Sequence, residues 1–467
     1  MIAAASATGV SSTVQILQSP ISGESARDFC ANRLENARSR YIHRVLIWFR
    51  IANHRSVRDE QVLSLEPGNV DGGGERVREA GDLRLLPLVA IYGPNASGKS
   101  NVLGGLAFMR DAVVYSHRIF SPDGGVPRQP FAWSEKGAEP SLFEIAFKID
   151  GVRYEYGFCS DDQQFVEEWL YAYPSARKQT WFERDGDELK FGEHLHGENR
   201  TIEKVTRPNS LFLSAAAQNR HAQLSPVFRW FAALRAHNLP TAIGGRFRRG
   251  SLPPRANFAR WWTPPASVPA DGQTISQAPS GHDVRRARFR DLLRAADFGI
   301  VDVEVLDDSA LGRRVMVKHR SERDDAWLPL QEESHGTQQV FALAPVALDA
   351  LASGSPLLVD ELEASLHPLL SLELVEAFND PRQNPRNAQL LFTTHDTTLL
   401  GSLLGSEPLR RDQVWLTEKD DEGATRLYPL TDFRPRKEEN LERGYLQGRY
   451  GAIPFLERLI RDPADQG

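Results

Sequence analysis

Cysteine is almost missing from this chain: Cys30 and Cys159 are the only two in 467 residues, and they sit in unrelated contexts. That excludes a disulfide scaffold and a cysteine zinc site, and it suits a reducing cytosol. A long apolar run is also lacking. The most apolar stretch, Val340 to Val359, is interrupted by Pro345, Asp349, Gly354 and Pro356, whereas a membrane span needs roughly 20 apolar residues in succession. The first twenty residues carry neither a basic segment nor an apolar one, so they are not read as a signal peptide, and a cytoplasmic protein without a membrane partner is expected. Charge of one sign is not in excess. A formal net charge of -6 argues against wholesale binding to nucleic acid or anionic membranes, while leaving room for a local basic patch. Internal repeats and sustained heptads are absent as well.

What is present is α/β alternation at both ends with something different between. Residues 1–42 show no periodicity and are expected to be a disordered extension. Val45 to Ile51 alternates as a strand, a second strand is expected at Val62 to Leu65, and Asn69 to Gly81 reads as an exposed loop. Leu85 to Tyr92 is a short, nearly all-apolar run that suits a strand buried on both faces. It feeds the glycine loop from Gly93, and Val102, Leu103, Leu106 and Met109 then recur at helical spacing. From Ser141 to Phe182 alternating runs flank Asp150-Gly151, a strong hairpin signal, which predicts an antiparallel meander. Residues 43–200 are therefore read as an N-terminal lobe. Residues 201–300 are read as a helical insertion or lid, with helices at about 205–240 and 284–297 and a Gly/Pro/Arg-rich loop at 240–282. Residues 301–467 are read as a C-terminal lobe, with helices at Gln338–Leu351 and Leu369–Phe378 and strands at Pro356–Asp360 and Gln389–Thr393.

Four motifs carry chemistry. Gly93-Pro94-Asn95-Ala96-Ser97-Gly98-Lys99-Ser100 has the Gly-x4-Gly-Lys-Ser spacing, between a buried strand and a helix. Glycines at 93 and 98 let backbone N–H groups wrap phosphate oxygens, and the helix N-terminus adds partial positive charge. Lys99 is expected to bridge the terminal phosphates, and the Ser100 hydroxyl to be a Mg²⁺ ligand. Leu357 to Glu361 ends a buried strand on two acids: Asp360 is assigned to the metal and Glu361 to the attacking water as general base. His395 follows another apolar strand and could sense the γ-phosphate, although a lone histidine at a strand end is more often structural. Ser334, Gly336 and Thr337 open a helix, as a second anion-binding N-terminus or simply as an N-cap.

Taken in order, these motifs resemble the ABC-type ATPases of the SMC and RecF branch. Phe49 to Ser56, Asp360 to Pro368, Asp432 to Asn440 and Gly448 to Pro454 are similar to the abortive-infection ATPases of the AbiL/RloA type. The resemblance covers about Val45 to Phe455. It implies an ABC-type P-loop head, with a mixed sheet, an antiparallel meander and an inserted lid, that uses ATP and Mg²⁺. It implies a homodimer or higher homo-oligomer in which Ser334 and Gly336 of one copy meet the γ-phosphate held by the other, with Thr337 in the same signature. It also puts Asn53, Arg55 and Ser56 near the nucleotide and Ser365 with His367 at the seam between heads. Gln129 is the candidate Q-loop glutamine. The chain departs from transporter cassettes in its Ser-x-Gly-Thr signature, and it lacks long coiled coils and a zinc hook.

The function implied by the resemblance is that of an ATPase or sensor subunit of an anti-phage system controlling a separate effector, such as a Toprim or RloB-like nuclease. Three alternatives stand beside it: a RecF-like DNA-repair ATPase, a transporter cassette, and a nucleotide-gated scaffold without turnover. The DNA-binding alternative draws on Arg246-Phe-Arg-Arg249, Arg260-Trp-Trp262, Arg285, Arg286, Arg288 and Arg290. Basic residues interleaved with aromatics can grip phosphates and stack bases, but more often they form a solvated or disordered surface.

Overall fold

The computed structural model describes residues 44–70, 74–239, 254–263, 281–296, 299–308, 312–401, 407–435 and 439–453. The expected N-terminal extension, Arg246–Arg249 and Pro454 lie outside the described residues.

The N-terminal part opens with β1 (Arg44–Ala52), β2 (Gln61–Ser64), β3 (Arg78–Ala80), β4 (Leu83–Leu85) and β5 (Leu88–Tyr92), followed by helix α1 (Lys99–Tyr115). The meander is β6 (Ser141–Ile149), β7 (Val152–Ser160), β8 (Phe165–Tyr173), β9 (Gln179–Asp185) and β10 (Glu188–Phe191). Asp150 and Gly151, both with positive φ, make its first turn as the sequence predicts. These five strands join β1 and β2 in an all-antiparallel sheet of order β10-β9-β8-β7-β6-β1-β2.

Next come α2 (Asn199–Glu203), α3 (Phe212–Gln218), α4 (Leu224–Ala233) and β11 (Arg235–His237), then α5 (Pro254–Trp262) and α6 (Gly281–Ala295). A small sheet of β12 (Ile300–Asp308), β13 (Gly312–His319) and β14 (Trp327–Pro329) leads into α7 (His335–Ser353). The chain closes with β15 (Leu357–Val359), α8 (Leu362–Ser365), α9 (Pro368–Asn379), β16 (Leu390–Thr393), β17 (Val414–Lys419), β18 (Thr425–Pro429) and α10 (Leu441–Leu446).

The second large sheet has the order β11-β15-β16-β5-β17-β18, parallel throughout except for β18 at its edge. Both faces are buried, which is why its strands show no alternation in sequence. Val89 and Ile91 point into a core shared with α1 and the meander, where Phe49, Leu106, Phe143 and Trp230 meet. Leu88, Ala90 and Tyr92 point the other way, onto Leu343 of α7, Val375 of α9 and Tyr445 of α10. Each fully buried Val, Leu, Ile or Phe among them contributes roughly 1.5–3 kcal/mol. Buried Gln389 ties the two sheets together, accepting from the Leu46 amide at 2.6 Å and donating to the Leu46 carbonyl at 2.9 Å.

Three expectations need correction. The span 205–240 is a set of short helices ending in β11, which pairs beside β15. The stretch 240–282 contains helix α5, whose Phe258 and Trp262 are buried. The packing also does not divide at residue 300. Helices α3 and α4 belong to the core around α1, whereas a separate cluster unites Phe258, Phe289, Val303, Val317 and Phe341, so that α5, α6, β12, β13 and the first half of α7 pack together.

Candidate functional site

Adjacent parallel strands β15, β16 and β5 run in register, so their carboxyl ends line up. Asp360 follows the first, His395 the second and Gly93 the third. Ligands of open α/β sheets bind at this edge.

The shape of the loop after β5 is fixed by contacts within the chain. Gly93 (φ 153°) and Gly98 (φ 105°) take left-handed backbone. A Cβ at Gly93 would collide with the Thr417 carbonyl, and one at Gly98 with the Thr425 hydroxyl. The β17–β18 hairpin braces the loop through Ser97 Oγ and Thr417 Oγ1 at 2.6 Å, and through Thr425 Oγ1 donating to the Ser97 carbonyl at 2.8 Å. α1 starts at Lys99 and aims its N-terminal amides and partial positive charge at the loop.

Lys99 Nζ donates to the carbonyls of Gly93 (2.9 Å) and Pro94 (3.1 Å), and it lies 2.8 Å from His395 Nε2. With lysine as donor, His395 Nε2 accepts. Burial pulls Lys99 down to about 8, opposed by Glu363, Asp360 and Glu361. Burial and the Lys99 charge hold His395 below the usual imidazole range.

Asp360 is buried, and its Oδ1 accepts from Thr393 Oγ1 at 2.7 Å; that hydroxyl accepts from the Glu361 amide, also at 2.7 Å. Glu361 is exposed, takes left-handed backbone (φ 52°) and lines the cleft. A left-handed non-glycine residue costs on the order of 1 kcal/mol, and such strain gathers at functional sites. Glu363 was not foreseen. Its Oε1 accepts from the His395 amide at 2.8 Å, while Oε2 is buried without a hydrogen-bond partner among the described residues. The signal available was a third acid two residues beyond Glu361.

The opposite wall comes from the turn after β1. Arg55 donates from its amide to the Gln129 carbonyl at 2.6 Å and from Nε to Gln129 Oε1 at 2.7 Å. Asn101, also unforeseen, donates to Ser56 Oγ at 2.6 Å. Arg55, Ser56 and Gln129 join Asn95, Ala96 and Ser100 around a cleft of about 550 Å³. Asn53 does not join them. It is 3 % exposed, donates to the carbonyls of Lys136 and Glu139, and accepts from the Phe131 amide, so it holds the 129–140 loop in place.

The remaining expected residues lie elsewhere. Ser334 caps α7 by accepting from the Thr337 amide at 3.1 Å, and Gly336 is exposed beside it; neither lines the cleft. His367 caps α9, accepting from the Leu369 amide at 3.3 Å, and is exposed; Ser365 ends α8. The Arg/aromatic pattern is largely core. Phe258, Trp262 and Phe289 are buried, Arg286 stacks 4.5 Å over Trp262, Arg290 pairs with Asp302 at 2.8 Å and Arg285 with Asp349 at 3.0 Å. Rings committed to packing cannot stack on bases, which removes the support that the described part of the pattern lent to the nucleic-acid reading.

The donors available to a cation are hard oxygens, the Ser100 hydroxyl and the Asp360 carboxylate, which fit Mg²⁺. No group of three or more His, Cys, Asp or Glu disposed to hold a metal occurs among the described residues. Mg²⁺ on a nucleotide needs only one or two protein carboxylates, the phosphates supplying the rest. No helix among the described residues is long and apolar enough to cross a membrane.

A braced glycine loop, a helix N-terminus, a buried lysine and a carboxylate at neighbouring strand ends define a nucleotide-binding P-loop ATPase head. The chain belongs to the family described as "AAA domain, putative AbiEii toxin, Type IV TA system", whose profile matches residues 88–401, more than half of its 467 residues. No curated protein matches its sequence. Among solved structures it is similar to the SMC head domain from Thermotoga maritima, at 12% identity and a TM-score of 0.37, covering 82% of this chain and 98% of that one. It is also similar to the Smc head domain with a coiled coil and joint from Pyrococcus yayanosii, at 10% identity and a TM-score of 0.40, covering 87% of this chain and 99% of that one.

Proposed function

We propose that this chain hydrolyses ATP with Mg²⁺ in the cleft, and that two copies close around the nucleotide. The observation that carries the reading is the convergence of Lys99, Asp360, Glu361, Glu363 and His395 at the carboxyl ends of three adjacent parallel strands. The loop amides and Lys99 bind and orient the β- and γ-phosphates. Bound Mg²⁺, held by Ser100 and Asp360, would neutralise charge on the phosphates. Glu361, exposed into the cleft, takes a proton from the attacking water, while Glu363 fixes the His395 backbone and His395 contacts Lys99 beside the γ-phosphate position.

Gly336 supports the composite site. Among the described residues a Cβ there would find only Ser334 Oγ, at 3.9 Å, so none of them requires glycine at that position. An approaching phosphate from a second copy would require it. Ser334, Gly336 and Thr337 then serve the partner's nucleotide, with Ser365 and His367 at the seam.

The family's description, a putative toxin of a type IV toxin–antitoxin system, accords with a role in bacterial defence; the reading of this chain as ATPase and sensor, with a separate effector such as a Toprim-type nuclease as its output, rests on the sequence resemblance. The description favours a defence role over RecF-like repair. Co-purification with the product of the neighbouring gene tests the partnership. The chemistry is tested by Glu361→Gln: ATP binding is retained, Mg²⁺-dependent turnover falls by roughly 10²- to 10⁴-fold, and ATP-bound dimers accumulate. Unchanged turnover would remove Glu361 from the role of base.

A further inference from the structure

Trp133 is the most exposed large apolar side chain among the described residues, 70% exposed, yet it is held in place. Buried Phe131 meets it edge-to-face with centroids 5.7 Å apart. The ring also lies against the hairpin turn, since a Cβ at Gly423 would come within 2.8 Å of it. Lys419 stands 5.4 Å from the ring centre and donates to the Gly423 carbonyl at 2.7 Å. Asn53 anchors the Phe131 amide, so the β1 turn and the β17–β18 hairpin both position this segment. The open surface of Trp133 lines the same cleft as Ser100 and Lys99.

An indole left in water gains little by burial and needs another reason to be fixed there. The rest of the cleft wall is polar or small: Arg55, Ser56, Asn95, Gln129, Pro130 and Ala132. A triphosphate seated in the cradle leaves its base beyond the phosphates, needing a flat apolar surface. Among the described residues lining the cleft Trp133 is the one large π-face, and the cation of Lys419, over the same ring, adds a donor for the electron-rich edge of a purine. The cleft, at about 550 Å³, is within the size range of small-molecule sites.

We propose that Trp133 is the platform on which the purine base of the bound ribonucleoside triphosphate stacks, with Lys419 at the base's edge. This rests on nucleotide binding in the cleft as proposed above and adds a base-recognition subsite to it. Stacking of a base on an aromatic ring is lost with the ring and survives exchange for another ring.

The experiment measures binding of ATP and of inorganic tripolyphosphate, each with Mg²⁺, to the full chain and to its Trp133→Ala, Trp133→Phe and Lys99→Ala variants. Trp133→Ala should weaken ATP by roughly tenfold to a hundredfold and leave tripolyphosphate unchanged, with Trp133→Phe restoring most of the ATP affinity. Lys99→Ala should weaken both ligands. Equal ATP affinity in Trp133→Ala and wild type would overturn the platform while leaving the cradle standing. Equal losses for ATP and tripolyphosphate in Trp133→Ala would also overturn it, by showing a structural role. A wild-type chain that binds neither ligand would overturn platform and cradle together.

Discussion

The start of α1 and the start of α7 are both helix N-termini built from glycine and hydroxyl residues, but their surroundings are opposite. Around Gly93 to Ser100 every special feature has a partner in the same chain: the glycines avoid Thr417 and Thr425, Ser97 meets Thr417, and Lys99 meets Gly93, Pro94 and His395. At Ser334 to Thr337 the cap is closed on itself, and exposed Gly336 has free space where a side chain would go. One helix start is explained by its own molecule. The other carries a glycine that no described residue of its own chain demands, as the proposed second copy would.

Lys99→Ala and Gly336→Arg should separate the two most sharply. Removing Lys99 takes the charged donor from the cradle, and ATP affinity should fall by about a hundredfold or more in equilibrium binding. Gly336→Arg should leave ATP binding to the single chain intact yet reduce turnover by about a hundredfold or more, because the partner's nucleotide can no longer be approached. Gly336 lies in the first turn of α7, where the better helix propensity of arginine is offset by its charge at the positive end of the helix dipole, so thermal unfolding of the free variant should change by less than about 1 kcal/mol. A Gly336→Arg chain that fails to fold, or that turns over ATP normally, breaks the comparison.

A smaller effect concerns the turn that carries Arg55 and Ser56. His54 is fully buried between Phe108 and Phe143, with both ring nitrogens unpartnered among the described residues, and burial lowers it from 6.5 to about 3. Between those two values the unfolded chain binds a proton that the folded chain refuses. Stability is therefore greatest above about pH 6.5 and falls as the pH drops below it, by at most about 1.4 kcal/mol per unit from this group. Burial lowers His237 to about 4 in the same sense. In urea titrations from pH 7 to pH 5, His54→Phe should show a shallower loss than wild type; an identical slope would mean that His54 is not the titrating group.

The parts of the site legible in sequence were those written in local pattern. A fully apolar β5, a Gly-x4-Gly-Lys-Ser loop and two acids after β15 each need only their own segment to be recognised, and Asp150-Gly151 fixed the meander's first turn. What escaped depends on distant partners. β11 is three residues long and is a strand only because β15 runs beside it. Phe258, Trp261 and Trp262 have helical spacing, but prolines on both sides masked it, and their burial against Phe289 and Phe341 belongs to tertiary packing. Asn53 resembles a nucleotide ligand in sequence, yet its side chain is spent on the backbone of the 129–140 loop. Glu363 has no local mark in the sequence beyond being a third acid, because its role depends on the His395 amide that donates to it from beyond the next strand.

The central claim, that each site is completed by a second copy, is tested most directly by mixing two inactive chains. Lys99→Ala retains an intact α7 start and Gly336→Arg an intact cradle, so a mixed dimer contains one whole site. Equimolar mixing should restore ATP turnover to about a quarter of the wild-type rate if the chains pair at random as a symmetric dimer. A mixture no more active than either variant alone, with exchange of subunits demonstrated, would contradict the account.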